Sequence, residues 1–282
     1  MGGVGENMGW LQSLFYGLIS GLSEFLPVSA HAHRSILRYL YGGVMTDPVQ
    51  SLVMNIATLV ALITVLKPQL DQIQRIQRTS RRNHSRINKS ALQIASDVRV
   101  VKNAAIITIP VMLLLRYILH VNIQLPWVCL MLLINGIILF LPERMMHGNK
   151  DGNSMTQMDS YLIGIAGAMS VFSGISAIAM ILSVAIVRGA DHKRAWNWAL
   201  LLSIFILSVN IFMDLISIFS GTNLPFFSNL FRYLLTGAIV FLAARASISI
   251  MKKILLDNRV SVFAYYCWGA ALFSFLLYLS VV

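Results

Sequence analysis

The stretch SEFLPVSAHAHRSILR, residues 23–38, gathers a carboxylate (Glu24), a hydroxyl (Ser29), two imidazoles (His31 and His33) and two guanidiniums (Arg34 and Arg38). A carboxylate can ligate a metal ion or move a proton. An imidazole can act as base or attack phosphorus, and a guanidinium grips phosphate oxygens. His33 follows Ser29 by four residues, so a helix that begins near Ser29, a natural N-cap, sets the two on one face. On that spacing His33 is the candidate nucleophile or base and Ser29 its orienting partner, while His31 faces elsewhere. The competing reading of His33 is a polar packing group. Glu24 either bonds the turn amides or serves as metal ligand or acid/base. Arg34 and Arg38 either clamp phosphate or snorkel to headgroups. Four polar residues inside apolar stretches, Asn55, Arg116, Asp214 and Arg245, line a cavity or pair with neighbours, and their spacing does not decide which. There is no P-loop, HExxH, CxxC or GxSxG pattern.

Such chemistry has to be positioned by a very apolar chain. Of its 282 residues 57% are hydrophobic and only 12% charged, against about 25% charged in a soluble domain. The expectation is an all-α polytopic membrane protein. The net charge of +11 is concentrated at 67–103, where nine basic residues face Asp71 and Asp97. A basic loop between apolar segments marks the cytoplasmic side, with lipid headgroups as a second reading, and no nucleic-acid partner is expected. The start, MGGVGENMGW, has neither the basic residues of a signal peptide nor a myristoylation pattern. Cys129 and Cys267 lie in apolar segments and read as small buried hydrophobes.

Six stretches approach the roughly 20 residues that cross a bilayer: 49–66, 104–119, 126–142, 196–219, 229–251 and 262–282. Two more, 8–40 and 161–188, are interrupted at FLPVSA and FSGISA, where Pro27 removes a donor and Gly174 weakens a helix. Each reads as a re-entrant hairpin. With 67–103 inside, PERMMHGNKDG, RGADHKR and KKILLDNR also fall inside and the uncharged SGTNLPFFSN outside, so the loops obey the positive-inside rule. The domains expected are a first repeat, 1–142, and a second, 143–282, each a hairpin plus three spans, in opposite orientation. SEFLPVSA (23–30) and SVFSGISA (170–177) keep Ser, Phe, Ser and Ala in register 147 residues apart. Two facing turns at membrane depth would line a cavity, because irregular backbone is tolerated there only in such a place.

GLSEFLPVSAHAH (21–33) resembles the first signature of the undecaprenyl-diphosphate phosphatases, the bacitracin-resistance family. Pro110 in ITIP, the LIG stretch before the second hairpin and Asp214 in FMDL are also compatible. The resemblance implies a bacterial inner-membrane enzyme with inverted repeats. Such an enzyme releases the terminal phosphate of a C55 polyprenyl diphosphate with a divalent cation, Mg²⁺ or Ca²⁺, to recycle the cell-wall lipid carrier. It places the family's glutamate on Glu24 as metal ligand, its serine on Ser29 and its histidine on His33. Ser176 and Gly174 become phosphate-binding positions, joined by Arg34, which the family motif lacks; the loop charges open the site to the outside, and a homodimer is left open. Several positions depart from the family pattern. The leading glutamate of the first motif is Ser20, its second serine is Ala30, and its Thr-Gly is His31-Ala32. In the second motif the arginine is Ala177, and the earlier acidic or amide residue is Gly167. Two readings therefore stand: a polyprenyl-diphosphate phosphatase, or a relative that binds or translocates polyprenyl phosphate without hydrolysis.

Overall fold

The computed structural model describes residues 9–42, 47–82, 89–118, 124–142, 150–220, 229–256 and 260–280. Its described residues are almost entirely helical. The order is α1 (Trp10–Glu24), α2 (Ala30–Leu40), α3 (Pro48–Arg82), α4 (Lys89–Ile118), α5 (Leu125–Phe140), α6 (Gln157–Ala168), α7 (Ala177–Val187), α8 (His192–Ser220), α9 (Leu230–Leu256) and α10 (Val262–Leu279). Five of these, α3, α4, α8, α9 and α10, are long and apolar enough to cross a membrane. The expected span at 126–142 is the 16-residue helix α5. The outer loop expected at SGTNLPFFSN lies mostly outside the described residues.

One expectation needs correcting. The basic segment expected as a loop is helical over 67–82 and 89–103: α3 continues to Arg82 and α4 begins at Lys89. Lys, Arg and Gln are good helix formers, so a helix that has left an apolar stretch is propagated by them.

Both interrupted hairpins are present. α1 ends at Glu24, and Pro27, which lacks an N–H and disfavours helix in the residue before it, keeps the chain from continuing. Ser29 then starts α2 at φ +66°, with its hydroxyl accepting the Ala32 N–H. The second hairpin runs from α6 through a short 3₁₀ turn, Met169–Val171, to α7, whose N-cap is Ser176. Gly174 between them has φ +119°, and a Cβ there would collide with Met131 of α5, so glycine is required twice over.

α1 packs along α9, α6 along α4, α5 along α10, and α3 against α8 and α9. Gly17 and Gly21 let α1 and α9 approach closely: a Cβ on either would sit 2.8 Å from Thr236 or Ala243, the small-xxx-small device of membrane helices. The core is centred on α7 and α8, where Ile178, Ile181, Leu182, Trp198 and Leu202 are fully buried. The periphery exposes Ile106, Leu114, Ile137, Phe231, Leu242 and Leu272, an apolar exterior suited to lipid.

Candidate active site

The two hairpin turns touch. Ser29 Oγ accepts the Gly174 N–H at 3.2 Å, and Ser176 Oγ donates to the Leu26 carbonyl at 3.5 Å. Asn135, buried in α5, fastens both: its Nδ2 donates to Pro27 O and its Oδ1 accepts the Ser176 N–H, each at 2.9 Å. These bonds satisfy backbone groups that the broken helices leave over. Sequence reasoning did not single out Asn135. Its only signal was one amide in the apolar run CLMLLINGIILF.

Beside this junction lies a polar cavity of about 270 Å³. α2 lines it with His31, Arg34, Ser35 and Arg38, the i, i+3, i+4, i+7 face of one helix. α3 adds Ser51 and Asn55, α4 adds Arg116, α8 adds Asn210 and Asp214, and the second turn adds Ser173. Asp214 accepts hydrogen bonds from Ser51 Oγ at 3.0 Å and from Asn55 Nδ2 at 2.6 Å, so neutral donors occupy its carboxylate. Arg116 Nη2 donates to Asn210 Oδ1 at 2.6 Å. Arg34 keeps two buried nitrogens, Nε and Nη2, without a hydrogen-bond partner. Its nearest carboxylate, Glu24, stands 3.9 Å away, beyond hydrogen-bonding range. Three guanidiniums thus meet two carboxylates, Asp214 held by neutral donors and Glu24 set 3.9 Å from Arg34. The arrangement suits a multiply charged anion whose paired oxygens can accept from the planar guanidinium forks.

The histidines are placed the other way round from the sequence expectation. His33 does lie over Ser29, but its ring folds back on the backbone. Nδ1 donates to Ser29 O at 2.8 Å, which leaves Nε2 to accept the Tyr266 O–H at 2.7 Å, with the two rings stacked. His33 lines an apolar groove with Ile36, Leu37 and Phe273, not the polar cavity. His31 was expected to face elsewhere and lines the cavity instead. Two residues along a helix rotate by about 200°, so the residue that shares the face of Ser29 is turned away from Arg34 and Arg38. Ser29, Ser176 and Gly174 sit in the turn junction, with Ser173 the second-turn residue that reaches the cavity. Ala177 opens α7 and packs against the core. Of the four undecided residues, Asn55, Arg116 and Asp214 line the cavity. Arg245 bonds Thr64 and lies over the Phe241 ring, away from it.

Among the described residues the side chains alone build no cage for a divalent cation, whose shell would need substrate phosphate oxygens to complete it. Magnesium and calcium need several oxygens, carboxylates among them. Among the described residues no three His, Cys, Asp or Glu side chains come together. Glu24 has a guanidinium as its charged neighbour, and Gly167, where a second carboxylate would stand, abuts Ile181 and Leu202.

Residues 13–273 match the family model of the bacitracin resistance protein BacA. The chain belongs to the BacA family. Relatives align with it along nearly their whole length. Undecaprenyl-diphosphatase 1 of Shouchella clausii is 24% identical over 270 residues, covering 95% of this chain and 96% of the relative. The undecaprenyl-diphosphatase of Prochlorococcus marinus is 25% identical, covering 92% and 96%, and that of Thermosipho melanesiensis 26%, covering 94% and 98%.

Proposed function

We propose that the chain hydrolyses a polyprenyl diphosphate to its monophosphate in a bacterial inner membrane, recycling a cell-wall lipid carrier. The observation that carries this reading is Arg34, whose Nε and Nη2 are buried without a hydrogen bond in a cavity shared with Arg38 and Arg116, with Glu24 as its one ion-pair neighbour among the described residues, in a chain of the BacA family. Phosphoryl transfer asks a protein mainly to position the phosphates and neutralise the charge that develops on them. Arg34 and Arg116 reach the cavity from α2 and α4, so two guanidiniums can hold the headgroup from different sides, a grip that Ala177 cannot provide. Asn210 fixes the Arg116 fork, and Asp214, held by Ser51 and Asn55, limits the excess charge. Ser29, Ser176, Gly174 and Asn135 keep the two turns together behind the cavity.

The proposed architecture is the inverted repeat 1–142 and 143–282, with the basic ends of α3 and α4 cytoplasmic. It is supported by helix contacts that the repeat would exchange: α1 lies along α9 as α6 lies along α4, and α1 pairs with α2 as α6 with α7. Both turns also begin their second helix with a serine N-cap. In this orientation Ser51, Arg116, Asn210 and Asp214 occupy the outer ends of their helices, so the cavity faces the outside.

The decisive measurement is phosphate release from C55 diphosphate by the purified full-length protein. Time-dependent release that falls when Arg34 is replaced by Gln is the expected result. Tight binding of the lipid with no release would leave a carrier protein and end the hydrolase reading.

A further inference from the structure

We propose that His31 is the catalytic base of this chain, taking the proton of the water that attacks the terminal phosphorus. The inference rests on the phosphatase reading above and deepens it. His31 lines the polar cavity on the same α2 face as Arg34 and Arg38, and its ring makes no hydrogen bond to another described residue. His33, two positions on, has both ring nitrogens engaged, by Ser29 O and the Tyr266 hydroxyl, and opens onto an apolar groove. A base must reach the water beside a phosphate that the guanidiniums already hold. The other cavity groups are unsuited to that task. Arginines stay protonated, and each oxygen of Asp214 already accepts one hydrogen bond, from Ser51 or Asn55, which holds the carboxylate against α3.

The step balances as hydrolysis. The water oxygen bonds to the terminal phosphorus while its proton passes to a ring nitrogen of His31. The bond from that phosphorus to the bridging oxygen breaks, and the electron pair leaves with the polyprenyl monophosphate. The imidazolium then returns its proton to the departing oxygen. Water is the only co-reactant.

The test compares the wild type with His31→Gln and His33→Gln in phosphate release from C55 diphosphate, together with affinity for that lipid. His31→Gln should lower kcat at least about a hundredfold, the lower range for loss of a general base, with KM within about threefold. His33→Gln should retain more than about a tenth of the rate. His31→Asn, checked for the same elution and melting temperature as the wild type, carries the test if the Gln variant does not fold. Residual turnover above about a tenth in the His31 variants, or an equal loss at His33, overturns the assignment while leaving the phosphatase reading intact. A wild type that releases no phosphate removes both.

Discussion

Ser29 Oγ accepts the Gly174 N–H at 3.2 Å, joining two turns that lie 145 residues apart in the chain. The same oxygen caps α2 through Ala32 N, so one hydroxyl starts a helix and docks the opposite hairpin on it. A serine expected to orient a catalytic histidine is therefore occupied with backbone. The bond also explains the backbone at both ends. Ser29 is held at φ +66° and Gly174 at φ +119°, conformations that persist where the surroundings over-determine them.

This assigns Ser29 a structural role that two substitutions separate. Ser29→Ala loses both accepted hydrogen bonds and keeps the strain of a positive φ. Ser29→Gly loses the same bonds but relieves the strain, and glycine is itself a tolerable N-cap. Thermal unfolding should show the Gly variant more stable than the Ala variant by about 1 kcal/mol, with the better turnover of the two. Equal loss of turnover in two variants of unequal stability would mean that the hydroxyl acts on the substrate.

Asn135→Leu removes the clamp from both turns together. It leaves the Ser176 N–H buried without its partner, at about 1–3 kcal/mol, and leaves the Pro27 carbonyl only the weak Cys267 S–H at 3.8 Å. The melting temperature in detergent should fall clearly, and phosphate release should fall with it because the cavity wall is displaced. An unchanged melting temperature would show that the turns are held by packing alone.

The fold was legible wherever apolar length and helix breakers speak locally. Apolar runs of bilayer length became α3, α4, α8, α9 and α10, and the breaks at Pro27 and Gly174 fell where the residues fix them. The site was legible only in part. His31, Arg34, Ser35 and Arg38 carry the helical i, i+3, i+4, i+7 signature, yet the pairing of Ser29 with His33 drew attention to the other face. That pairing is real in space and leads to a backbone carbonyl. Arg116, Asn210 and Asp214 come from two helices distant in sequence, and no spacing could join them before the helices packed. Asn135 had no companion of its own type at a helical interval. The extension of α3 and α4 into the basic segment was hidden because charge speaks to the side of the membrane and says little about backbone conformation.

The proposed orientation puts the end of α10 outside and the turn before α6 inside. Asn153 and Ser280 are both exposed, while Cys129 and Cys267 are buried and should stay silent. In intact cells an impermeant thiol reagent should label Ser280→Cys and not Asn153→Cys. Labelling of Asn153→Cys from outside would invert the orientation and place the cavity on the cytoplasmic face.

Glu24 beside Arg34, with no second carboxylate at Gly167, predicts that the protein alone has no strong site for Mg²⁺ or Ca²⁺. A cation present at a hundred times its dissociation constant adds about 2.7 kcal/mol to stability, which thermal unfolding resolves easily. Millimolar Mg²⁺ or Ca²⁺ should leave the melting temperature of the lipid-free protein unchanged. A rise that disappears in Glu24→Gln would establish a metal site there.

Arg116 tests whether the phosphate grip has moved to a helix outside both hairpins. Its fork is fixed by Asn210 Oδ1 at 2.6 Å and it shares the cavity with Arg34. A hydrogen bond from a charged group is worth about 1.5–3 kcal/mol, and each 1.4 kcal/mol is about tenfold in affinity. Arg116→Gln should therefore weaken binding of a polyprenyl diphosphate by about 10- to 100-fold. Arg116→Lys keeps the charge but loses the bidentate fork, so it should fall between Gln and the wild type. Arg245→Gln supplies the control, because it removes an arginine from an apolar helix without touching the cavity. If Arg116→Gln and Arg245→Gln bind the lipid equally well, α4 contributes no ligand to the phosphate and Arg34 and Arg38 must hold it from α2 alone.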